Sequence, residues 1–508
     1  MGRKAGILIA VYAAVLAINI DVTIVNVALP SVAGELGAGT RGLQWVVDGY
    51  NLAFAGLVLA AGGVSDRYGR RPALLIGLLG FAAASVAGAL VHDTGALVAA
   101  RVVMGAFAAL IFPTTLSIIS NTFTDRRQRA AALGGWGAVV GVGVAAGPVT
   151  GGALLTYFYW GSVFLALAPL ALVAAGLAFA LVPESRDPGT PPLDRRGLLL
   201  SAALLTLLVY TVIEAPARGW GGAATLLGLG GSAVLAVAFV AAERAAAHPM
   251  LDVRLFADRR FSAASGAVAV TFFALAGFIF LITQYFQVVR GYGTLSTGAR
   301  ILPVAISIAG ASVAGGALAP RLGTRALVVS GLIMFGAAMV WIAASAVDIP
   351  YWQTIVPQMV LMGLGMGLIS TPATESILQV LPPARAGVGS AVNDATRELG
   401  STLGVAVVGS VFSSVFGRRL AAGAFARTGH LAEAQDSVAV TFRLAGGDTT
   451  LVDAAQRAFM AALHTGCYVV GGLCFAAAAA GLFALPGRRF VAAARPDPAP
   501  KAAEHQPA

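Results

Sequence analysis

Charged residues are scarce in this sequence. They make up 11% of the 508 residues, whereas 58% are hydrophobic, and the mean hydropathy is +0.84. A soluble domain of this length needs a more polar surface, so the composition excludes a purely soluble protein. Apolar runs of about 18 residues or more recur along the chain, as in transmembrane helices. Because these runs do not alternate with period two, they exclude a membrane β-barrel and predict an all-α membrane protein.

Lysine is nearly absent, because only Lys4 and Lys501 occur among the 33 basic residues. A Walker A loop needs Lys followed by Ser or Thr after a glycine-rich turn, and neither Lys has that context. ATP hydrolysis through such a loop is therefore excluded. The net charge of +10 would suggest nucleic acid in a soluble protein, but basic residues of membrane proteins collect in cytoplasmic loops. The sequence therefore predicts a protein that lies in a lipid bilayer and does not bind nucleic acid.

Cysteine is also rare. Cys467 and Cys474 lie seven residues apart in one apolar run, which is about 10 Å along a helix and too far for a disulfide. His464 lies nearby, but a metal site needs three or four ligands. The sequence therefore predicts no metal and no other cofactor.

Fourteen apolar segments are long enough to span a membrane as helices. They are residues 7–29, 42–64, 73–91, 95–119, 131–156, 160–182, 197–216, 222–242, 261–288, 296–319, 326–346, 351–377, 386–416 and 457–485. The first is too long for the apolar core of a signal peptide, so we expect it to remain as an uncleaved span.

Basic residues predict the orientation of these spans. With the N-terminus in the cytoplasm, cytoplasmic segments hold 22 of the 33 Lys and Arg residues, and short outer loops hold four. A miscount of one span would invert this bias after that point. The pattern predicts a multi-pass protein of the plasma membrane with both termini in the cytoplasm.

An internal repeat divides the chain. GGVSDRYGRRPAL, from Gly62, and GALAPRLGTRALV, from Gly316, share four residues at an offset of 254. A weaker echo links VVMGAFAALIFP, from Val102, to VLMGLGMGLIST, from Val360. Spans 1–6 therefore resemble spans 9–14, and spans 7 and 8 are an insertion. Two repeated six-helix halves are typical of transporters, with the substrate site between them.

The repeat predicts four parts of the chain. They are an N-terminal six-helix bundle (1–182), a linker with two inserted helices (183–255), a C-terminal six-helix bundle (256–486) that includes an outer loop (417–456), and a cytoplasmic tail (487–508). The tail is basic and then rich in Pro and Ala, which is typical of disorder.

The loop after the second span carries a recognisable signature. GGVSDRYGRRPAL resembles the loop G-x-L-A-D-R-x-G-R-K-x-x-L of the major facilitator superfamily, and the resemblance rests on Gly62, Asp66, Arg67, Gly69, Arg70 and Arg71. The glycines permit a tight turn, and Asp66 can pair with Arg or with a helix N-terminus. The resemblance implies a latch between the two bundles. The alternative is a basic loop that only sets topology.

The fifth span carries a second signature. GWGAVVGVGVAAGPVTGGALL resembles the antiporter signature of the same superfamily, G-x-x-x-G-P-x-x-G-G, and the resemblance rests on Gly143, Gly147, Pro148, Gly151 and Gly152. Small residues let helices approach closely, and Pro bends them. The resemblance implies an exporter, whereas the alternative is ordinary packing of small residues.

Three further segments narrow the resemblance. LAINIDVTIVNVALP, with Asp21 and Asn26, resembles L-D-x-T-I-V-N-V-A-L-P of the fourteen-helix drug:proton antiporters (the EmrB/QacA type). RVVMG resembles their R-x-x-q-G segment, with Met104 where a polar residue is usual, and NDATRELG resembles N-x-x-x-R-x-L-G through Asn393 and Arg397. The resemblance implies the major facilitator fold and proton-coupled efflux of organic compounds.

Asp21 and Arg101 are opposite charges within predicted spans. Asp21 lies nine residues before Pro30, about 13 Å below the outer end of the first span, and Arg101 lies about 9 Å below the same face in the fourth. Intramembrane charges usually pair or face a cavity. A carboxylate that is alternately paired and protonated can carry a proton. The alternative is a static salt bridge between two helices.

Two other places hold ionisable residues within spans. Asp394 and Arg397 are three residues apart and can pair on one helix face, and Glu375 lies towards the same side. They predict a gate or a contact for a cationic substrate, and the alternative is pairing near the membrane interface. Glu214 is expected to reach the outer interface from the end of span 7.

The predicted function is proton-coupled export of drugs or antibiotics by alternating access. A proton-coupled importer of a metabolite and a non-transporting membrane sensor or scaffold are the alternatives. An enzyme is not predicted, because no polar segment between spans exceeds 40 residues.

Overall fold

The computed structural model describes residues 2–186, 194–379 and 386–485. Within these ranges the chain forms fourteen helices long and apolar enough to cross a membrane, and it forms no β-strand. The helices are α1 (Gly2–Leu36), α2 (Thr40–Tyr68), α3 (Arg70–Ala89), α4 (Thr94–Thr122), α5 (Arg126–Tyr157), α6 (Ser162–Leu181, interrupted at Ala166), α7 (Arg195–Arg218), α8 (Ala223–Ala245), α9 (Arg259–Gln284), α10 (Thr294–Leu322), α11 (Thr324–Ala343), α12 (Val356–Gln379), α13 (Ala386–Ala421) and α14 (Thr449–Ala484). The predicted all-α membrane protein is confirmed.

Acidic residues begin many of these helices. Asp93, Asp125, Asp194, Asp258 and Asp448 each accept a hydrogen bond from a backbone N–H in the first turn of α4, α5, α7, α9 and α14. Such caps satisfy backbone donors that have no partner within the helix. Five of the 23 acidic residues thus mark the first turns of membrane helices.

Two glycines of the repeat make equivalent turns. Gly69 is the single residue between α2 and α3, and Gly323 is the single residue between α10 and α11. Their φ angles are +127° and +82°, a region that residues with a Cβ atom rarely adopt. A sequence repeat of a few residues therefore corresponds to a repeated backbone conformation.

The helices pack as two six-helix halves with the same neighbours. In the first half α1 packs on α5 and α6, and α4 packs on α2 and α3. In the second half α9 packs on α13 and α14, and α12 packs on α10 and α11. This is the predicted fold class, with α7 and α8 as an inserted pair that packs together.

The segment predicted as an outer loop is largely helical. Helix α13 extends to Ala421 and α14 begins at Thr449. Three short helices lie between them: Ala424–Arg427 (3-10), Leu431–Asp436 and Val438–Ala445. Phe425, Ala434 and Val438 are buried as part of the main apolar core, so the segment packs on the membrane helices. The predicted tail (487–508) and most of the predicted linker's proline-rich part lie outside the described residues.

The two halves meet at one end of the bundle. We call this the Gly39 end, because α1 finishes and α2 begins there, and we call the opposite end the Gly69 end. At the Gly39 end α2 packs on α13, and α5 packs on α10. Gln44 Nε2 donates to the carbonyl of Ala406 at 3.0 Å, and Thr294 Oγ1 donates to the carbonyl of Gly152 at 3.0 Å. The halves are therefore joined by hydrogen bonds as well as by apolar contacts.

Candidate functional site

Asp21 and Arg101 form an ion pair inside the first half. Nη1 of Arg101 lies 2.8 Å from both Asp21 Oδ1 and Asp21 Oδ2. The exposed fractions are 0% for Asp21 and 1% for Arg101. The contact between these two residues, which the sequence predicts from their depth, is confirmed. Their part in proton coupling stays a prediction.

Arg101 has partners other than Asp21. Its Nε donates to the carbonyl of Val46 at 3.0 Å, and its guanidinium lies 4.3 Å from the ring centroid of Tyr50. Gly105, one turn after Arg101, lets α4 approach the backbone of Tyr50 so closely that a Cβ atom would overlap the Tyr50 carbonyl. The spacing of Arg101 and Gly105 thus places the guanidinium against α2, where it keeps two partners if Asp21 becomes neutral.

Asn26 lines a cavity between the two halves. Thr23, Asn26 and Val27 of α1 contribute to its wall, together with Pro148 of α5. The other half contributes aliphatic side chains: Leu275, Ile279, Ile301, Leu302, Val304 and Ile308. The empty volume is about 430 Å³, and it includes open solvent. The wall is predominantly apolar, and Asn26 and Thr23 are the polar side chains in it.

The antiporter signature connects three helices. A Cβ atom at Gly143 would lie 2.6 Å from the Asn19 Cβ atom of α1, and one at Gly147 would overlap Thr23 Oγ1. Gly151 packs in the same way on Ile24 of α1. These glycines therefore seat α5 on the helix that carries Asp21.

The last part of the signature faces the other half of the protein. A Cβ atom at Gly152 would lie 2.6 Å from the carbonyl oxygen of Thr294, and the Pro148 carbonyl packs against Gly298 of α10. The signature thus joins α5 to α1 on one side and to α10 on the other. Both contacts depend on the absence of side chains.

The signature loop contacts the end of α6 in its own half. Asp66 accepts a hydrogen bond from Arg70 Nε at 2.7 Å, and the Arg70 N–H donates to the carbonyl of Ser185 at 2.9 Å. Arg71 donates to the carbonyl of Phe179 at 2.6 Å. Gly62 packs on Pro113 of α4, and Arg67 is exposed. The structure therefore ties this loop to the first half, and its latch role stays a prediction.

The polar residues of α13 are arranged differently from the prediction. Asp394 and Arg397, both described, do not form an ion pair in this part of the chain. Arg397 instead lies 5.1 Å from the ring centroid of Phe272 on α9, and Asn393 accepts a hydrogen bond from Thr374 of α12. Asp394 is buried, whereas Glu375 is exposed. The guanidinium of Arg397 therefore packs on α9.

Sequence reasoning missed Asp48 and Gln44 on α2. Both are fully buried, and among the described residues neither oxygen of Asp48 has a hydrogen-bond partner. Gln44 joins the halves, as described above. Asp48 falls within the predicted span 42–64, so the argument applied to Asp21 could have found it. Gln44 gives no comparable signal, because only the partner helix makes it distinctive.

Glu214 lies between two arginines at the Gly39 end. Its Oε2 lies 3.2 Å from Arg41 Nη1 at the start of α2, and 3.7 Å from Arg218 Nε. The inserted helix α7 is therefore connected to the first half by an ion pair. The location of Glu214 at the outer interface stays a prediction. Within the described ranges, no three His, Cys, Asp or Glu side chains form a group that could hold a metal ion.

Known proteins are similar to this chain in sequence and fold. A family model described as Major Facilitator Superfamily matches residues 11–405. The chain is 35% identical over 470 residues to the multidrug efflux pump LfrA of Mycolicibacterium smegmatis, which covers 92% of this chain and 93% of LfrA. It is 36% identical over 408 residues to the puromycin resistance protein pur8 of Streptomyces alboniger, covering 80% of this chain and 81% of that protein.

A solved structure agrees at the level of the fold. The bacterial homologue of the human lysosomal transporter Spinster matches with a TM-score of 0.67 at 16% identity, over 95% of this chain and 97% of that one. The family match covers most of the residues that form the ion pair, the signature loop, the antiporter signature and α13. With its fourteen membrane helices in two repeated halves, this chain belongs to the Major Facilitator Superfamily.

Proposed function

We propose that this protein exports small organic compounds across the plasma membrane in exchange for protons, by alternating access. The observation that carries the proposal is the buried ion pair between Asp21 and Arg101, in helices otherwise poor in charge. A charge at the centre of a membrane helix costs about 3 kcal/mol on insertion scales, so we expect a functional reason for both charges. Relatives described as a multidrug efflux pump and a puromycin resistance protein support the direction of transport.

The orientation is part of the proposal. The turns at Gly69 and Gly323 lie at the same end of the bundle, in a loop pair rich in Arg. Basic loops of membrane proteins are retained in the cytoplasm. We therefore assign the Gly69 end and both termini to the cytoplasm, and the Gly39 end to the outside. The conformation described above is then the one in which the outer end is closed.

Proton transfer follows from the partners of Arg101. When Asp21 is charged, its two oxygens share one guanidinium nitrogen, and this pair draws α1 towards α4. When Asp21 takes up a proton the attraction weakens, but the guanidinium still has the Val46 carbonyl and the Tyr50 ring. Both protonation states of Asp21 therefore leave Arg101 with partners, which is what a reversible proton carrier requires.

The cavity defines the proposed substrate. Its wall is mainly aliphatic, with polar atoms from Thr23 and Asn26, so we expect organic compounds with a large apolar surface, such as drugs or antibiotics. For cationic substrates we propose Glu375, Asn393, Asp394 and Arg397 as gate or contact residues, and Asp66 with its loop as the latch. Membership of the fourteen-helix drug:proton antiporters (the EmrB/QacA type) belongs to the same proposal.

The test measures transport in proteoliposomes with an imposed proton gradient. Asp21→Asn should lose proton-driven movement of a fluorescent cation such as ethidium, while keeping substrate exchange at equal pH on both sides. Asp93→Asn is the matched control, because it changes a carboxylate of the same half that caps α4 outside the membrane. Unchanged proton-driven transport in Asp21→Asn would contradict the proposal.

The same preparation separates the alternatives. A proton-coupled importer would move substrate in the same direction as the protons, whereas the proposed antiporter moves it in the opposite direction. A sensor or scaffold would show no flux in either direction, and Asp21→Asn would leave its phenotype intact.

A further inference from the structure

The inserted helix α7 lies across the seam between the two halves. On one side it contacts α2 through the ion pair of Glu214 with Arg41, and through the rings of Tyr210 and Trp45, whose centroids are 6.2 Å apart. On the other side it contacts α13, because Ser410 Oγ donates to the carbonyl of Val212 at 2.8 Å. One helix outside the repeat therefore touches both halves.

Ser410 joins all three helices at one point. It accepts a hydrogen bond from Gln44 of α2 at 3.3 Å and donates its own proton to α7. An apolar cluster surrounds this point, in which Val209, Val212 and Ile213 of α7 pack on Ala406 of α13. Trp220, in the turn between α7 and α8, adds another contact with α13, because its Nε1 donates to Ser414 Oγ at 3.0 Å. These contacts all lie at the Gly39 end, where the halves are joined.

We propose that α7 is a clamp that stabilises the conformation closed at the Gly39 end, and that it moves with the second half when this end opens. The proposal rests on the proposed alternating access, since that mechanism separates α2 from α13. When they separate, α7 cannot keep both sets of contacts.

The chemistry of the two sets decides which one breaks. The hydrogen bond from Ser410 to Val212 is buried, so breaking it would leave polar groups without partners in an apolar cluster, which is costly. The ion pair is more accessible, because the side chains of Arg41 and Glu214 are 41% and 18% exposed. When the two separate, Arg41 can be solvated and Glu214 keeps Arg218 as a partner on α7. The contacts with α2 therefore release first, and Glu214 acts as a positioning residue for the outer gate.

The first test is a distance measurement that does not need transport. Spin labels at His92, in the first half, and Ala344, in the second, report opening of the Gly39 end in nanodiscs, in a background with Cys467→Ala and Cys474→Ala. Glu214→Gln should raise the open-to-closed ratio by about two- to fivefold, the range for an accessible ion pair. The exchange Arg41→Glu with Glu214→Arg, made together with Arg218→Gln to remove the like charge one turn away on α7, should return the ratio towards that of the parent protein.

Asp348→Asn is the matched control. Asp348 pairs with Arg290 at the same end, but both residues belong to the second half, so this substitution should leave the ratio unchanged. A parent protein that shows a single distance under all conditions would contradict alternating access itself. A parent that alternates, with Glu214→Gln behaving like Asp348→Asn, would overturn the clamp alone.

Cross-linking tests which half α7 follows. A short bifunctional thiol reagent should join Arg41→Cys to Glu214→Cys and stop transport, and a reductant that releases the link should restore it. The link between Trp220→Cys and Ser414→Cys joins α7 to α13 and should leave transport intact. If the first link permits transport, or the second stops it, α7 does not move with the second half and the proposal fails.

Discussion

The two halves of this protein share a fold but differ in their chemistry at one equivalent place. Arg101 of α4 corresponds to Met359 of α12, because the repeat aligns Val102 with Val360. Arg101 is bound to Asp21, whereas Met359 is a buried apolar residue beside a second cavity of about 370 Å³ lined also by Phe278, Tyr285 and Met460. Helix α9, the counterpart of α1, has no charged residue after Arg260.

This difference distinguishes features that build the fold from one that serves the proposed function. The features that build the fold occur twice: the turns at Gly69 and Gly323, and the glycines that let one helix pack closely on another. Gly143 and Gly147 seat α5 on α1, and Gly400 and Gly404 seat α13 on α9 at an offset of 257 residues. Within the described residues the buried ion pair of Asp21 and Arg101 has no counterpart in the second half. The repeated features thus build the fold, and the unrepeated ion pair serves the proposed proton coupling.

The largest expected effect comes from making the first half resemble the second. Arg101→Met leaves Asp21 buried without its partner, and breaking a buried pair costs about 3–5 kcal/mol. Thermal unfolding in detergent should show a large loss of stability, whereas the control Met359→Leu should change it little. Adding Asp21→Asn should recover most of the stability without restoring proton-driven transport. A stable Arg101→Met protein would show that the pair is dispensable for folding.

Substituting the glycines at close helix contacts should lower the stability by similar amounts in both halves. Gly147→Ala and Gly404→Ala each place a methyl group on a neighbouring helix, and overpacking of this kind costs about 1–3 kcal/mol. Gly141→Ala and Gly266→Ala are controls on α5 and α9, because a Cβ atom there would meet none of the described atoms within 4 Å. The controls should be neutral or slightly stabilising in the same unfolding assay. If only one of the two substitutions lowered the stability, the close helix contacts of the two halves would not be equivalent.

Substitutions at the two equivalent turns should have the next largest effect on stability. Gly69→Ala and Gly323→Ala force a residue with a Cβ atom into a positive φ angle, at a cost of about 1–2 kcal/mol. The loss should be greater at Gly69, where the Cβ atom would also lie 2.8 Å from Glu184 Oε1. Gly63→Ala, within α2, is the control for the loss of a glycine alone. Equal unfolding temperatures for Gly63→Ala and Gly69→Ala would contradict this prediction.

The smallest effect concerns the arginines of the two signature loops. Arg71 donates to the carbonyl of Phe179 near the end of α6, and Arg325 donates to the carbonyl of Leu485 just after α14. Each contact satisfies a carbonyl near a helix C-terminus, so Arg71→Gln and Arg325→Gln should each cost about 0.5–1.5 kcal/mol. Arg67→Gln, at an exposed position, is the control in the same unfolding measurements. If all three substitutions lowered the free energy of unfolding equally, the hydrogen bonds of Arg71 and Arg325 would not stabilise the protein.

Several features could be predicted from particular residues. The lengths of the apolar runs gave the fourteen helices, and the residues around Gly62 and Gly316 gave the repeat. Asp21 and Arg101 could be paired from their depth in two spans. Membership of a superfamily of transporters also confirms that the chain is not an enzyme. These features depend on periodicity, composition and distance along one helix.

Other features depend on contacts between helices that are distant in sequence. Arg397 was expected to form an ion pair with Asp394, yet its guanidinium lies over the ring of Phe272, a contact that requires α9 to pack on α13. Gln44 and Ser410 became distinctive only when α2, α7 and α13 were placed together. The segment 417–456 gave no readable pattern, since its short helices bury Phe425 and Ala434 against neighbours rather than along one long face.

The sequence by itself determined that this chain spans the membrane fourteen times, that its two halves repeat, and that one half carries the charged pair. These properties follow from the cost of placing polar groups in lipid, which each segment must meet with its own residues. The tertiary structure alone decided that Arg101 keeps the Val46 carbonyl and Tyr50 as further partners, and that α7 joins both halves. Such contacts depend on which helix faces the side chain, and no single helix contains that information.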